Sequence, residues 1–382
     1  MALRVCVVSG GRADFGLLLQ PMRMLRDDPA FALSVVLTGQ HLVAGASDAP
    51  TVAAKEGLNP VLVPLDLGGD DPVTISRACG LAMTGYGKVF SGLAPDLILL
   101  LGDRYEILCA AFAATIARVP VAHIAGGDVT YGAIDDGFRH AITVLSHLHF
   151  ATNAESARRI LQLGEAPERV HTVGSPGLDL TRATEIVPLD RFFAAIGLAR
   201  HPRNIIVTFH PVTREFNSIE QLDEMLAAIH ALGPEVGVLL TGANADPEGL
   251  TINTRLQDFA ARHANIRFVA SLGSALFFSA LTHMDAMVGN SSSGVYEAPT
   301  FGLRAVNIGS RQEGRLKAPS VIDVAPERGA IVQGIRAAFE AGHGPVENPY
   351  GDGKTSERIV AVLKSIQYPR SLLVKQFQDR SL

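Results

Sequence analysis

The chain has 382 residues, 47% of them hydrophobic and 19% charged, with no tryptophan; at roughly 100–200 residues per domain this is material for two globular cores. A formal net charge of -5 argues against a broad nucleic-acid-binding surface, although local arginine clusters can still hold phosphate. The cysteines Cys6, Cys79 and Cys109 are scattered, Cys6 and Cys109 read as small core residues, and no CxxC or Cys/His cluster points to a metal.

The opening MALRVCVVSGG lacks a basic n-region and an A-x-A cleavage site, so it reads as a buried first strand and not as a signal peptide. No apolar stretch is long enough to span a bilayer, and a cytoplasmic enzyme without membrane contact is expected. From there, short apolar runs alternate with helix-length segments. Leu3–Val8, Leu33–Leu37, Leu97–Leu101, Val119–Ile124 and Val170–Val173 read as buried parallel strands, with helices over Leu17–Arg26, Ile75–Val89, Glu106–Ile116 and Glu155–Leu163. The rhythm breaks between Ser175 and Arg203 and then restarts. Strands are expected at Ile205–Phe209, Val236–Leu240, Ile266–Val269, Ala286–Val288 and Ala305–Ile308, and helices at Ile219–Leu232, Asn253–His263, Ser274–Thr282 and Val295–Phe301. The pattern predicts an α/β protein with two Rossmann-like domains facing a central cleft: residues 1–178, residues 179–366, and a tail 367–382 returning to the first domain.

Several segments carry ionisable or anion-binding groups where such strands end. Ser9-Gly10-Gly11-Arg12-Ala13-Asp14 is a glycine-rich turn but not GxGxxG, which weakens a dinucleotide reading; Arg12 reads as a phosphate clamp or a surface arginine beside a turn. In Leu101-Gly102-Asp103-Arg104-Tyr105-Glu106, Asp103 is a candidate general base or a helix cap. The stretch from His123 through Asp128, Asp135, Asp136 and Arg139 to His140 gathers acids and histidines after another strand, which favours function over capping alone. His210, held extended before Pro211, is a candidate donor to a phosphate or leaving group, or a structural histidine. Asn244 and Asp246 are turn formers by default. Asn290-Ser291-Ser292-Ser293-Gly294, between a strand and a helix, offers amide donors to a diphosphate or caps the helix in the ordinary way. Glu297 reads as a ribose ligand or a solvated carboxylate, and Arg311 with Arg315 as an anion clamp or solvated charges.

Together, GGRADFG, LGDRYE, HIAGGDVTYGAIDDGFRHAIT, FHPVT, GNSSSGVYEAPTFG, NIGSRQEGR and NPYGDG resemble, in order and spacing, the hydrolysing UDP-N-acetylglucosamine 2-epimerase family of the sialic-acid and legionaminic-acid pathways. The resemblance covers nearly the whole chain. It implies a glycosyltransferase-B-like fold, a UDP-linked sugar as partner, no cofactor, and a homodimer or tetramer. By matching positions it places Arg12, Ser291, Ser292 and Arg311 on the diphosphate, Glu297 on the ribose, and Asn244 and the backbone near Leu272 in the nucleotide pocket. It turns Asp103, Arg104, Asp135, Asp136 and His210 toward the sugar or its departing phosphate. Several relatives carry a catalytic Glu where this chain has Ala125, and Asp128 is the candidate to replace it.

The implied chemistry is removal of the C2 proton as the diphosphate leaves C1, giving a glycal, followed by hydration with protonation at C2 from the other face. UDP-N-acetylglucosamine is the leading substrate. The same chemistry on a nucleotide-linked N,N'-diacetylbacillosamine, a glycosyltransferase of similar architecture, and a non-catalytic sugar-nucleotide sensor are the alternatives.

Overall fold

The computed structural model describes residues 2–379 apart from 44–46, 67, 70, 131–133, 213–216 and 244–247, with the backbone alone at 12 and 13. The chain divides into two compact units, Met1–Asp179 with Tyr350–Leu382, and Leu180–Pro349. Asn244 and Asp246 lie outside the described residues.

The first unit is built on seven strands, β1 (Leu3–Ser9), β2 (Phe31–Thr38), β3 (Val61–Val63), β4 (Leu97–Leu101), β5 (Val121–Ile124), β6 (Leu148–Ala151) and β7 (Val170–Thr172). They lie in the order β3-β2-β1-β4-β5-β6-β7, all parallel. In β4, Leu-Ile-Leu-Leu-Leu is buried throughout, because helices cover both faces of the sheet and no position is left for a polar alternate. Along β1 the side chains divide by turns: Val5 and Val7 enter one core with Leu18, Met22 and Phe150, while Cys6 and Val8 enter the other with Tyr86, Phe90 and Ile107.

The second unit repeats the plan with β8 (Arg203–Thr208), β9 (Val236–Thr241), β10 (Ile266–Val269), β11 (Ala286–Gly289), β12 (Ala305–Ile308) and β13 (Val321–Val324). The order is β10-β9-β8-β11-β12-β13, again parallel. Ile205 and Val207 pack on one side with Met225 and Ile335, and Ile206 on the other with Phe192 and Leu281. In both sheets the strand order reverses once, between β1 and β4 and between β8 and β11. At such a reversal the loops leaving the carboxyl ends diverge and leave a crevice.

Three features differ from the expectations. The strands β3, β6 and β13 are not among those expected: β3 is three residues long, and His149 and Asp323 interrupt the apolar runs of the other two. The helix expected over Val295–Phe301 is one short turn, Ser293–Tyr296, followed by a 3-10 turn, Ala298–Phe301, because Pro299 and the left-handed Gly302 (φ 65°) prevent a longer one. The second unit ends at Pro349 and not at 366. The helix Thr355–Lys364 buries Ile359, Val360 and Leu363 in the first unit's core, and Asp179 caps it by accepting from the Thr355 and Ser356 amides at 2.8 and 2.6 Å.

The tail that follows is tied to the first unit. Lys375 Nζ donates to the Val144 and Ser146 carbonyls at 2.7 Å each and pairs with the buried Glu165 at 2.5 Å. Among the described residues no helix is long and apolar enough to cross a membrane, and no group of three or more His, Cys, Asp or Glu is gathered as a metal site.

Candidate functional site

In the first unit the carboxyl edge around the strand reversal is dense with charge. β4 is followed by Gly102, whose φ of 83° turns the chain sharply and presents Asp103 and Arg104 ahead of the helix Tyr105–Ile116. Asp103 accepts from the Arg139 guanidinium across that edge. Arg139, buried in the helix Asp135–Leu145, also donates to Asp136 Oδ1 at 2.9 Å, to Thr130 Oγ1 at 3.1 Å and to the Asp128 carbonyl at 2.7 Å. Asp136 takes the Thr130 amide as well, at 2.8 Å. One guanidinium thus fixes the helix that carries Asp135 and Asp136 against the loop after β5 and orients Asp103.

Asp135 opens that helix, and its carboxyl is held above the usual carboxylate range by burial and by the nearby Asp103 charge, against the pull of Arg104 and Arg139. Arg104 donates to the fully buried Glu106 through Nε at 2.5 Å. Asp14, in the first turn of the helix Arg12–Asp27, lies in the same group of charges: burial pushes its carboxyl up to about 7, with Glu106 and Asp103 adding to the shift and Arg104 opposing it. Arg12 opens the same helix. His41, between Ser9 Oγ at 2.9 Å and Ser47 Oγ at 2.8 Å, is lowered to about 4 by burial and by Arg104, so it stays neutral at this edge.

The side chains of other sequence candidates beside this group are engaged in holding the fold. Asp128 turns its Oδ1 to the hydroxyls of Thr152 and Ser156, 2.6 and 2.5 Å away, which ties the loop after β5 to the helix Ala154–Gln162. His123 lies inside the sheet, Nε2 on the Gly102 carbonyl at 2.8 Å and Nδ1 on Thr143 Oγ1 at 3.2 Å, and burial lowers it to about 3. Ala125 has a left-handed backbone (φ 64°) at the end of β5, a conformation that costs a non-glycine residue about 1 kcal/mol or more.

In the second unit the same edge holds a pocket of about 360 Å³. The ends of β8 and β9 supply Thr208 and Thr241, and the turn after β10 supplies Ser271 and Leu272. The helix Gly273–His283 adds Phe277 and Phe278, and the turn after β11 adds Ser291 and Ser293, with His210 and Glu297 completing the wall. Apolar rings beside hydroxyls and one carboxylate suit a flat, polar-edged ligand such as a nucleoside. Glu297 is raised above its ordinary range by burial, against the Ser293 hydroxyl and the Arg315 charge.

Gly289 and Asn290 explain the shape of this edge. A Cβ at Gly289 (φ 132°) would fall 2.0 Å from the Thr208 carbonyl, so only glycine lets β11 turn back over β8. The fully buried Asn290 then receives the His210 amide at 2.7 Å and donates to the His210 carbonyl at 2.8 Å, locking the backbone of one loop to the side chain of the other. Arg311 Nη1 reaches the Asn290 carbonyl and Nε the Pro211 carbonyl, each at 3.3 Å, so it braces both loops. Ser292 precedes the short helix and its carbonyl accepts the Val295 and Tyr296 amides at 2.9 Å.

The structure therefore gathers Asp103, Arg104, Asp135 and Asp136 in one unit, and His210, Leu272, Ser291 and Glu297 in the other. Sequence reasoning missed Asp14, Glu106, Arg139 as the link between Asp103 and Asp136, and Asn290 as the link to His210. A buried carboxylate two residues after a strand-end arginine was a readable signal for Glu106 only once the helix start was known.

Comparison with known proteins places these features in a family. The sequence profile described as UDP-N-acetylglucosamine 2-epimerase matches residues 23–364. A Legionella pneumophila protein named UDP-N,N'-diacetylbacillosamine 2-epimerase (hydrolyzing) is 35% identical over 98% of this chain and 99% of its own. A Campylobacter jejuni protein named GDP/UDP-N,N'-diacetylbacillosamine 2-epimerase (hydrolyzing) is 33% identical over 84% of each. The crystal structure of UDP-GlcNAc 2-epimerase from Neisseria meningitidis bound to UDP-GlcNAc superposes with a TM-score of 0.74, at 18% identity, over 94% of this chain and 99% of that one, a likeness of fold.

Proposed function

We propose, from the premise that this chain belongs to the UDP-N-acetylglucosamine 2-epimerase family, that it is a hydrolysing 2-epimerase of a UDP-linked N-acetylated amino sugar. The observation that carries the reading is the pairing of Asp103, oriented by Arg139, with Asp135, whose carboxyl is held above its ordinary range. An acid oriented by a guanidinium, near a second acid that binds its proton more readily than usual, suits a reaction that takes a proton from one face of a carbon and returns one to the other.

The C2 hydrogen of such a sugar is poorly acidic, so its removal is coupled to departure of UDP from C1. The C2–H bond breaks as the base takes the proton, its electrons form the C1–C2 double bond, and the C1–O bond breaks toward the diphosphate. Water then adds at C1 of the glycal while C2 takes a proton from the opposite face. The products are UDP and the free 2-epimer, with no redox step. We assign the proton transfers to Asp103 and Asp135, with Asp136 and Arg139 holding them in place. Asp128, the sequence candidate for the missing Glu at Ala125, is assigned to holding the loop, because hydroxyls already occupy its Oδ1. The nucleotide is assigned to the second unit, with Glu297 on the ribose, Leu272 along the base, and Ser291, Ser292 and His210 toward the diphosphate. Arg12 and Arg311 remain assigned to the diphosphate by motif position.

For the sugar, UDP-N,N'-diacetylbacillosamine is favoured over UDP-N-acetylglucosamine, since the relatives at 35% and 33% identity bear that name. Incubation with each nucleotide sugar in heavy water tests this. The proposal expects UDP, a free 2-epimer and one deuterium at C2, faster with the diacetylated sugar. Turnover only with an added acceptor would make the protein a transferase, and tight binding without turnover a sensor.

A further inference from the structure

Beneath the Gly10-Gly11 turn lies a group of charges that the proposed reaction leaves unused. Glu106 is wholly buried, with Oε1 on Arg104 Nε at 2.5 Å, while its Oε2 is buried without a hydrogen-bond partner among the described residues. Oδ2 of Asp14 is likewise buried without a partner among the described residues. The two glycines show how closely the turn covers these acids: a Cβ at Gly10 would fall 2.7 Å from Glu106 Oε1, and one at Gly11 would fall 3.3 Å from Asp14 Oδ2 and 3.9 Å from Arg104 Cδ.

Among the described residues the charged neighbours leave little to balance Asp14. On the loop after β4, Arg104 is engaged by Glu106 and Asp103 by Arg139; on the neighbouring helix Glu106 is a like charge; after β2, His41 is neutral. Asp14 thus lies in a largely desolvated place beside a like charge whose guanidinium is already engaged, and both conditions disfavour its ionised form. Glu106 has the direct bond to Arg104. Asp14 has the Gly11 amide and an orphan oxygen, and its carboxyl, pushed up mainly by burial, titrates at about 7.

We propose that Asp14 is a positioning residue that holds a proton while a nucleotide sugar is bound, so that Arg104, a third of whose side chain is exposed, meets the ligand's negative charge with Glu106 as its sole bound acid. The identity of the ligand rests on the proposed function; the proton on Asp14 does not. Above neutrality Asp14 ionises, a second unbalanced acid crowds Arg104, and an anionic ligand is held less well.

The test is the pH dependence of KM from pH 6 to 9 for the UDP-sugar that is turned over, whose diphosphate diester does not titrate in this range. KM of the native protein should rise on the order of tenfold between pH 7 and 8.5, in step with loss of the protonated form, while kcat changes far less. Asp14→Asn, a neutral isostere, should remove that rise. The same rise in the variant, or weak binding at every pH in a folded variant, overturns the proposal.

Thermal unfolding without ligand gives an independent reading. The native state keeps a proton that the unfolded chain releases in the ordinary carboxylate range, so stability falls as pH climbs from that range through 7 and stays lower above it. Asp14→Asn should therefore gain more in melting temperature over the native protein at pH 8.5 than at pH 5; an equal difference at both overturns the proton assignment. If no nucleotide sugar is turned over, the functional reading fails, while the melting comparison and the binding of UDP-glucose against pH still decide this one.

Discussion

The two strand reversals occupy the same place in two sheets of the same order, and they are furnished in opposite ways. Between β1 and β4 stand Asp14, Asp103, Glu106 and Asp135 with Arg104 and Arg139, acids and guanidinium groups braced against one another. Between β8 and β11 most polar groups are amides and hydroxyls, Thr208 with Thr241, Asn290, Ser291 and Ser293, beside His210 and Glu297 in the pocket wall and Arg311 braced on two loop carbonyls. The shared fold supplies a crevice in each case, and the residues decide its chemistry. The raised carboxyls of Asp14 and Asp135 show how such crowding and burial can prepare an acid for proton transfer. Neutral donors hold a ligand without exchanging protons with it, so their grip should vary little with pH.

The comparison is broken most directly at Asp103. Asp103→Asn keeps the size of the side chain and removes the charge that Arg139 orients and that raises Asp135. Turnover should fall by roughly two orders of magnitude or more, with UDP affinity in a binding titration nearly unchanged. Near-normal rates of UDP release would remove the charged edge from the chemistry. His210→Ala tests the exception on the neutral side, the one imidazole in the pocket wall. A loss of about the same order in kcat would give it a part in leaving-group departure; a loss confined to KM would make it a binding group like its neighbours.

How much of this contrast could be read from sequence follows from the same physics. Asp103 and Arg104 were visible because a run of buried leucines ends at Gly102, and side chains at the carboxyl end of a parallel strand face a crevice whatever the rest of the fold does. Ser291 and His210 were visible for the same reason. Asp14 was not, since its environment comes from Glu106 and Arg104, some ninety residues on, and no local pattern encodes a long-range like charge. Asp128 looked like a replacement acid because it lies close to Ala125 in sequence, yet Thr152 and Ser156 on later elements decide where its oxygen points. The helix Thr355–Lys364 shows the limit for domain boundaries. Its apolar stripe would fit either core, and Asp179 at its start settles which one it joins.

Glu297 sharpens the neutral side. If its carboxylate holds ribose hydroxyls, Glu297→Gln keeps one acceptor and replaces the other with a donor. The charge-assisted part of that contact should be lost, raising KM about tenfold and moving kcat by less than about twofold. A fall in kcat with KM unchanged would place Glu297 in the reaction itself and blur the division between the two edges.

The smallest effect concerns what makes the neutral edge rigid. Asn290 spends its side chain on the His210 amide and carbonyl, two bonds across loops about eighty residues apart in the chain. Asn290→Ala removes both partners at once. Since His210 is only half-buried, water can replace part of what is lost, and the cost should lie near the lower end of the range for unsatisfied polar groups, about 1 kcal/mol. That is a shift of roughly 2–4 °C in the melting transition of a unit of this size. The loop carrying His210 should also lose its fixed approach to the pocket, so kcat should drop by more than stability alone explains. A variant that melts lower but turns over normally would mean that His210 reaches its working position without this brace, and that the order of the second crevice comes from Arg311 on the Asn290 and Pro211 carbonyls instead.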